Sequence, residues 1–201
     1  MHWKEKEKLW LKQVKELCVN NGWQFKNYFI YKQIDDLCFT ATFYVNRNEN
    51  IISGWLEYKT YSIDNVFWDI VNFPGNKKKP LSFRSDAAFS IPAINFWKYE
   101  KKIATEKDAK KEIIALFKEI NKKGDAKAKK IRTTKAFHKE LLKDEELNAA
   151  GIITSLIEQK EYSRALLKIK EYKKKDIGSG FGFGSKDFYD LAKTYCLKHS
   201  N

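Results

Sequence analysis

The sequence contains no long apolar segment. No run of hydrophobic residues approaches the ~20 that a membrane-spanning helix needs. The first ten residues, MHWKEKEKLW, interleave charge with tryptophan and lack the apolar stretch of a secretory signal peptide. The sequence therefore predicts no membrane partner and a cytoplasmic location.

Histidine is scarce, with only His2, His138 and His199 in the chain. None lies at metal-ligand spacing with a cysteine or with a second histidine. We therefore expect no metal site and no cofactor, and we assign no catalytic residue.

Cysteine is equally scarce. Cys18, Cys38 and Cys196 are widely spaced and odd in number, which is typical of reduced thiols in a cytosolic protein. Each falls on an apolar or sheet-lining position, so we expect all three thiols to be buried and unpaired.

Arginine is rare as well, with four residues among 39 Lys and Arg, although the formal net charge is +13. Residues 1–100 carry a net charge of +3 and residues 101–201 a net charge of +10. Because lysine is a hydrated point charge without the bidentate fork of arginine, this excess is typical of a solvated helical surface. The alternative is a nucleic-acid-binding surface on the basic C-terminal helices. Its candidate residues are Lys118, Lys122, Lys123, Lys127, Lys129, Lys130, Arg132, Lys135 and Lys139.

Aromatic and β-branched residues dominate positions 23–70. Residues 37–45 alternate as in a half-buried strand, with Leu37, Phe39, Ala41, Phe43 and Val45 on the buried face. Further strands are predicted over 24–31 and 51–61, with turn residues at 35–36 and 46–50. The pattern predicts an antiparallel meander covered on one face by helices.

Helical periodicity is predicted before and after the meander. An N-terminal helix is predicted over about 4–20, and Ser62 is expected to cap a short helix that carries Asp64 in its first turn, with a fourth strand as the alternative. From Thr105, which with Asp108 resembles a capping box, only helices are predicted. The first ends at Gly124, and the others cover about 126–143, 145–159, 162–175 and 185 onward.

Residues 72–102 are the least regular part of the chain. A turn at 74–76 and a basic loop at 77–80 precede two short predicted strands at 81–84 and 88–91. An aromatic cluster of Phe96, Trp97 and Tyr99 is expected either to pack at the edge of the core or to line a groove. The sequence thus predicts an α+β fold with a sheet domain over 1–102 and a helical region over 103–201.

A local resemblance lies between residues 149 and 166. Ala149-Ala150-Gly151 is followed by a short polar turn and by Tyr162-Ser163-Arg164-Ala165-Leu166, which resembles the turn of a tetratricopeptide-type helical hairpin. The likeness covers about one repeat. It implies a helical hairpin docked on the sheet or on its neighbours, because a single repeat cannot bury its own apolar face.

A glycine-rich segment, Gly178-Ser179-Gly180-Phe181-Gly182-Phe183-Gly184, precedes the last predicted helix. One interpretation is a loop that packs two phenylalanine rings on the core. The other is an anion or ligand site formed by Gly178, Gly180 and Gly182 with Arg84, because backbone amides and a helix dipole converge before a helix.

Since no motif demands chemistry, the favoured hypothesis is a non-enzymatic protein-interaction module that binds another protein. Nucleic-acid binding through the basic helices is the first alternative. An enzyme with a site near Arg84, Asp86 and the glycine-rich segment is the second.

Overall fold

The computed structural model describes residues 3–26, 28–46, 50–86 and 90–200. The chain is α+β, as predicted, with an N-terminal helix, a five-stranded antiparallel sheet and a mostly helical second half. The helices are α1 (Trp3–Asn20), α2 (Tyr61–Ile70), α3 (Leu81–Asp86), α4 (Glu106–Lys130), α5 (Thr134–Leu141), α6 (Ala149–Glu158), α7 (Tyr162–Lys174) and α8 (Phe188–His199). The strands are β1 (Gln24–Lys26), β2 (Phe29–Ile34), β3 (Leu37–Asn46), β4 (Ile51–Thr60), β5 (Ile94–Lys102), β6 (Gly182–Phe183) and β7 (Lys186–Asp187).

The chain forms two compact units, and each consists of two chain segments. The first unit contains Met1–Tyr58 and Ala93–Lys129, and the second contains Lys59–Pro92 and Lys130–Asn201. The boundary after residue 102 that the sequence suggested stays a prediction.

The sheet of the first unit has the strand order β1-β2-β3-β4-β5. Its first two strands correct the single strand predicted over 24–31. They form a hairpin in which Gln24 pairs with Tyr31, and Tyr28 adopts a left-handed φ of 68° at the turn. The sequence signal was weak, because a tyrosine rarely adopts that conformation.

Strand β3 has the predicted register but more burial than predicted. Leu37, Phe39, Ala41 and Phe43 are buried, as expected, whereas the side chain of Val45 lies outside the described residues. The opposite face is buried at Cys38, Thr40 and Thr42, with 1%, 3% and 6% exposure, whereas Tyr44 on that face is 59% exposed. The half-buried interpretation is therefore wrong for the first part of the strand, because threonine and cysteine are small enough to be accommodated in a core.

Strand β5 was not predicted from the sequence, because its aromatic residues were assigned to an irregular region. It pairs antiparallel with β4, and the register shifts between Leu56 and Glu57. Such an irregularity breaks the period-two pattern that identifies a strand. The half-buried Phe96 ring meets the buried Tyr58 ring edge to face at 5.2 Å, so Phe96 packs at the edge of the core of the first unit.

Helix α4 corrects another prediction, because it continues through Gly124 to Lys130. Gly124 is buried, and a Cβ built on it would lie 4.0 Å from the Phe39 ring. Glycine destabilises a helix interior by only roughly 0.5–1 kcal/mol, which packing offsets. The predicted capping box is confirmed, since Thr105 Oγ1 accepts from the Asp108 backbone amide at 3.2 Å and Asp108 accepts from the Thr105 amide at 3.0 Å.

The first helix of the second unit is α2. The short helix predicted there is confirmed, but Ser62 is not its cap, because α2 begins at Tyr61 after Thr60. The strand predicted over 81–84 is also wrong. That segment is α3, which starts after Pro80, whose carbonyl accepts from the amides of Phe83 and Arg84. Residues 88 and 89 of the strand predicted over 88–91 lie outside the described residues, and Ile91 lies outside any strand.

The last 70 residues are mainly helical, with α6 and α7 adjacent as the hairpin resemblance implied. One departure is the short β6–β7 hairpin, where Gly182 pairs with Asp187 and Phe183 with Lys186. It moves the start of α8 from the predicted Ser185 to Phe188.

All three cysteines are buried and none forms a disulfide, as predicted. Burial raises the pKa of Cys18 to about 12 and that of Cys196 to about 11. Both thiols therefore stay protonated and unreactive at neutral pH. Within the described ranges, no helix combines the length and the apolarity that a membrane crossing requires.

Candidate functional site

Helix α4 carries four exposed lysines at nearly the same angle around its axis. At 100° per residue, Lys111, Lys118, Lys122 and Lys129 fall within an arc of roughly 40° and span about 27 Å of helix. The opposite side of the helix is apolar and buried. These inward residues are Ala109, Ile113, Leu116, Phe117 and Ile120. We call the four exposed residues the lysine face.

Ring contacts and hydrogen bonds hold α4 against the sheet of the first unit and against Trp23, which precedes β1. The Phe117 ring stacks on Phe43 at 6.1 Å and meets Trp23 edge to face at 6.3 Å. The Trp23 indole donates to Asn121 Oδ1 at 2.7 Å, and the Tyr99 hydroxyl donates to Glu112 at 2.5 Å. Because both ring packing and hydrogen bonds set the rotation of the helix, the lysine face is held toward solvent.

The lysine face contains an acidic residue. Asp125 is exposed and lies within roughly 40° of Lys118 and Lys129 on the helical projection. A continuous track for nucleic-acid phosphates would meet like charge at that point. The face is therefore better suited to a partner with mixed polarity.

The residues predicted for nucleic-acid binding do not all lie on one surface. Lys118 and Lys122 belong to the lysine face, and Lys123 is exposed on the same helix. Lys127 points the other way, with its ammonium 5.0 Å from the Tyr58 ring centroid and 4.8 Å from that of Phe96. This cation–π geometry engages Lys127 inside the first unit.

The remaining predicted cations, Lys130, Arg132, Lys135 and Lys139, belong to the second unit and are exposed there. Lys135 and Lys139 lie one helical turn apart on α5.

A buried polar cluster in the second unit was not anticipated from the sequence. The Lys59 ammonium lies 2.9 Å from Asp64 Oδ2, donates to Ser90 Oγ at 2.9 Å and donates to the Ile91 carbonyl at 3.3 Å. Asp64 Oδ1 accepts from the Ile91 amide at 3.1 Å. Lys59 and Asp64 are 2% and 0% exposed. The only sequence signal was the five-residue spacing of a lysine at a strand end and an aspartate in a first helical turn.

This cluster contains a serine and a lysine, the residue types of a serine–lysine nucleophile pair. Its lysine, however, is paired with a carboxylate and does not have the charge state of a general base. Burial raises the pKa of the Asp64 carboxyl, and the Lys59 ammonium opposes that shift. An ammonium that is paired with a carboxylate is a poor general base, and Ser90 is 8% exposed. The arrangement serves to join the end of β4, the start of α2 and the chain around Ile91.

Arg84, the predicted anion ligand, is occupied by neighbours within the second unit. Its guanidinium stacks on the Tyr61 ring at 3.9 Å and donates to Asn65 Oδ1 at 2.8 Å. The side chain of Asp86, its predicted companion, lies outside the described residues.

The glycine-rich segment packs its rings on α2 and the chain that follows it. The ring centroid of Phe181 lies 4.9 Å from that of Phe67, and the ring centroid of Phe183 lies 6.3 Å from that of Phe73. The predicted ligand glycines Gly178, Gly180 and Gly182 are exposed. Only Gly180 and Gly184 need the left-handed conformation, with φ of 75° and 63°.

The N-terminus of α8, where an anion was expected, already has carboxylates. Asp187 caps the helix by accepting from the Asp190 amide at 2.9 Å, and Asp190 lies in the first turn. The hydrogen bond from Lys173 lowers the pKa of Asp190, so this carboxyl is ionised at neutral pH. These two carboxylates supply the negative charge that the helix dipole favours. The geometry supports the loop interpretation of the segment.

A buried histidine–serine contact completes the survey of reactive groups. His138 Nδ1 lies 2.5 Å from Ser155 Oγ, and the Ser155 hydroxyl donates to the Ile152 carbonyl at 2.8 Å. Ser155 is 0% exposed in the middle of α6, so a substrate cannot reach it. His138 is therefore a structural link between α5 and α6.

Across the described part of the chain, no three His, Cys, Asp or Glu side chains converge as metal ligands. No protein-family model, curated protein or solved structure matches the chain.

Proposed function

We propose that the chain is a non-enzymatic, cytosolic interaction module that binds an acidic segment of another protein through the lysine face of α4. The observation that carries this proposal is the common orientation of Lys111, Lys118, Lys122 and Lys129, which are all exposed. The apolar side of α4 is buried in the first unit. A rigid row of positive charge gives both a fast encounter with an acidic partner and a fixed register on it.

Three features favour an acidic protein over nucleic acid. The cations of the face are all lysines, which lack the planar fork that recognises phosphate and guanine. Asp125 interrupts the positive row, and the Phe96 ring is covered by Lys127, which points away from the lysine face. A sequence-tolerant nucleic-acid surface usually adds aromatic rings on which bases stack.

Nucleic acid is the second candidate, because four lysines in one row over about 27 Å also match an extended polyanion. If single-stranded DNA binds through all four, the logarithm of its binding constant should fall with the logarithm of salt concentration with a slope of about −3.

The test compares two variants with the same net charge. One carries Lys→Ala at positions 111, 118, 122 and 129, and the matched control carries Lys→Ala at the exposed positions 170, 174, 193 and 198 of the second unit. Binding of a labelled glutamate-rich peptide and of labelled mixed-sequence DNA and RNA is followed by fluorescence anisotropy at about 150 mM salt. Circular dichroism confirms that both variants are folded.

We expect the peptide to bind more tightly than either nucleic acid and the lysine-face variant to lose that binding. At about 0.5 kcal/mol for each exposed pair, four pairs supply ~2 kcal/mol, or roughly thirtyfold in affinity. Equal loss in the control would show that net charge, not the face, is recognised. Submicromolar binding of DNA or RNA that only the lysine-face variant abolishes would establish the nucleic-acid alternative instead.

A further inference from the structure

A cleft of ≈ 530 Å³ lies between α1 and α4 in the first unit. Its α1 wall is formed by Leu9, Lys12, Gln13 and Glu16, whose spacing of three, one and three residues places them on one side of that helix. Trp10 also lines the cleft. The volume is within the range of about 300–1,000 Å³ that is typical of small-molecule sites.

The two walls of the cleft are tied together. The Gln13 side-chain amide donates to the backbone carbonyl of Lys110 at 3.1 Å, and this bond joins residues 97 positions apart in the sequence. The α4 wall is further fixed by the capping box at Thr105 and Asp108. The cleft is thus part of the folded unit and does not depend on an occupant to form.

The apolar part of the cleft is provided by two neighbouring α1 residues. Trp10 is 7% exposed, so its ring belongs to the core and presents only a small part of its surface. Leu9 is 47% exposed, although it is a large aliphatic residue on a helix rich in charge. A ligand chain laid against Leu9 would remove this apolar surface from water.

The polar part of the cleft is mostly cationic. Lys12, Lys107 and Lys110 line it and are exposed, and Glu16 is the one carboxylate among its described lining residues. Lysine stems are aliphatic, so the same side chains extend the apolar lining while their ammonium groups stay in water. An apolar body flanked by cations therefore fits the cleft better than a neutral or a positively charged ligand.

We propose that this cleft binds a small amphiphile with one anionic head and one apolar chain. Leu9, Trp10 and the lysine stems contact the chain, and the ammonium groups of Lys12, Lys107 and Lys110 contact the head. The site shares no residue with the lysine face, although Lys107 lies one helical turn from Lys111. Its occupation does not depend on the proposed function of that face.

The experiment measures binding of dodecanoate, kept below its critical micelle concentration, to the full chain by isothermal titration calorimetry. Dodecylammonium tests the sign of the charge, and acetate tests the need for a chain. The variant Lys107→Ala/Lys110→Ala removes two cationic lining residues, and Lys111→Ala/Lys118→Ala removes two exposed lysines of the same helix outside the cleft. Leu9→Ser removes the apolar wall. Alanine is the best helix former, so α4 is retained in both double variants.

We expect dodecanoate to bind and the other two probes not to bind. The Lys107/Lys110 double variant and Leu9→Ser should each weaken dodecanoate binding by tenfold or more, whereas the Lys111/Lys118 double variant should leave it within twofold. Binding of dodecylammonium as tight as that of dodecanoate would overturn the proposal. So would the absence of dodecanoate binding, or dodecanoate binding that neither lining variant weakens. Failure of the acidic peptide to bind, with dodecanoate binding intact, would reject only the proposed function.

Discussion

At the scale of single residues, the ion pair of Lys59 and Asp64 is the most demanding feature of the second unit. Two opposite charges are almost completely removed from water. The Lys59 ammonium also donates to Ser90 and to the Ile91 carbonyl, and the Asp64 carboxylate also accepts from the Ile91 amide. Desolvation offsets much of the attraction in such a pair. The pair therefore positions the start of α2 more than it adds to stability.

Replacing one member of this pair should be far worse than replacing both. Lys59→Met leaves the Asp64 carboxylate buried without its partner, and we expect a loss of about 3–5 kcal/mol in the free energy of unfolding. Adding Asp64→Asn, which keeps an acceptor for the Ile91 amide, should recover more than half of that loss. Urea unfolding of both single variants and the double variant measures the coupling. Additive single losses would contradict an interacting buried pair.

The destabilisation caused by Lys59→Met should change with pH in a defined direction. Burial raises the pKa of Asp64 in the folded protein, so the folded state holds the proton more tightly than the unfolded state. The contribution of Asp64 to stability is then fully present at low pH and is lost as pH rises through the folded pKa of this group. Lys59→Met removes the opposing charge, and its destabilisation should be smaller at about pH 4 than at about pH 7.

At the scale of elements, α4 connects the core of the first unit with both proposed binding surfaces. Its inward residues pack on the sheet, its solvent side forms the lysine face, and its first turns line the α1–α4 cleft. Continuity through Gly124 is what extends the lysine face to Lys129. A helix that stopped at Gly124 would present only three of the four lysines.

Alanine substitution tests this continuity. In a helix interior, Gly124→Ala should raise the free energy of unfolding by about 0.5–1 kcal/mol, because the added methyl would lie 4.0 Å from Phe39 without a clash. Chemical denaturation gives the value. A destabilisation of similar size would indicate that Gly124 ends the helix.

Gly54→Ala is the contrasting control. A Cβ at Gly54 would lie 2.6 Å from the Thr42 carbonyl oxygen in β3 and 3.4 Å from Leu116, so β3 or β4 would have to shift. We expect a loss of about 1–3 kcal/mol, in keeping with overpacked cores. A neutral effect would mean that β3, β4 and α4 are not packed as closely as described.

At the scale of the whole molecule, His138 controls how stability responds to pH near neutrality. Burial, reinforced by Arg164 and Lys168 and opposed by Glu161 and Glu145, lowers the pKa of His138. The unfolded chain, in which a histidine titrates at about 6.5, then binds a proton more readily than the folded chain. The free energy of unfolding should therefore fall as pH decreases below about 6.5 and level off below the folded pKa.

His138→Gln removes the titrating group and keeps a side chain that can hydrogen-bond to Ser155. The difference in unfolding free energy between the wild-type protein and this variant should shrink as pH is lowered from about 7.5 to about 5. Denaturant titrations at each pH provide the measurement. A difference that is constant with pH would assign the dependence to other groups.

The sequence by itself determined much of the architecture, because period and capping are local properties. Alternation located β3, helical spacing located α1, α6, α7 and α8, and Thr105 with Asp108 marked the start of α4. Scarce and widely spaced cysteines sufficed to predict buried thiols. For the candidate site, the sequence identified Lys118 and Lys122 among many lysines without indicating which of them share a face.

The tertiary structure decided the rest, because those features depend on contacts between distant segments. The local sequence predicts a helix end at Gly124, whereas packing against the sheet allows α4 to continue through it. The sequence does not predict β5, because the register shift in this strand is defined only by its pairing with β4. The Lys59–Asp64 pair depends on Ser90 and Ile91, about 30 residues further along the chain. Lys127 is indistinguishable in sequence from Lys129, yet one covers aromatic rings and the other is exposed, since the rotation of α4 is set by the residues that it buries.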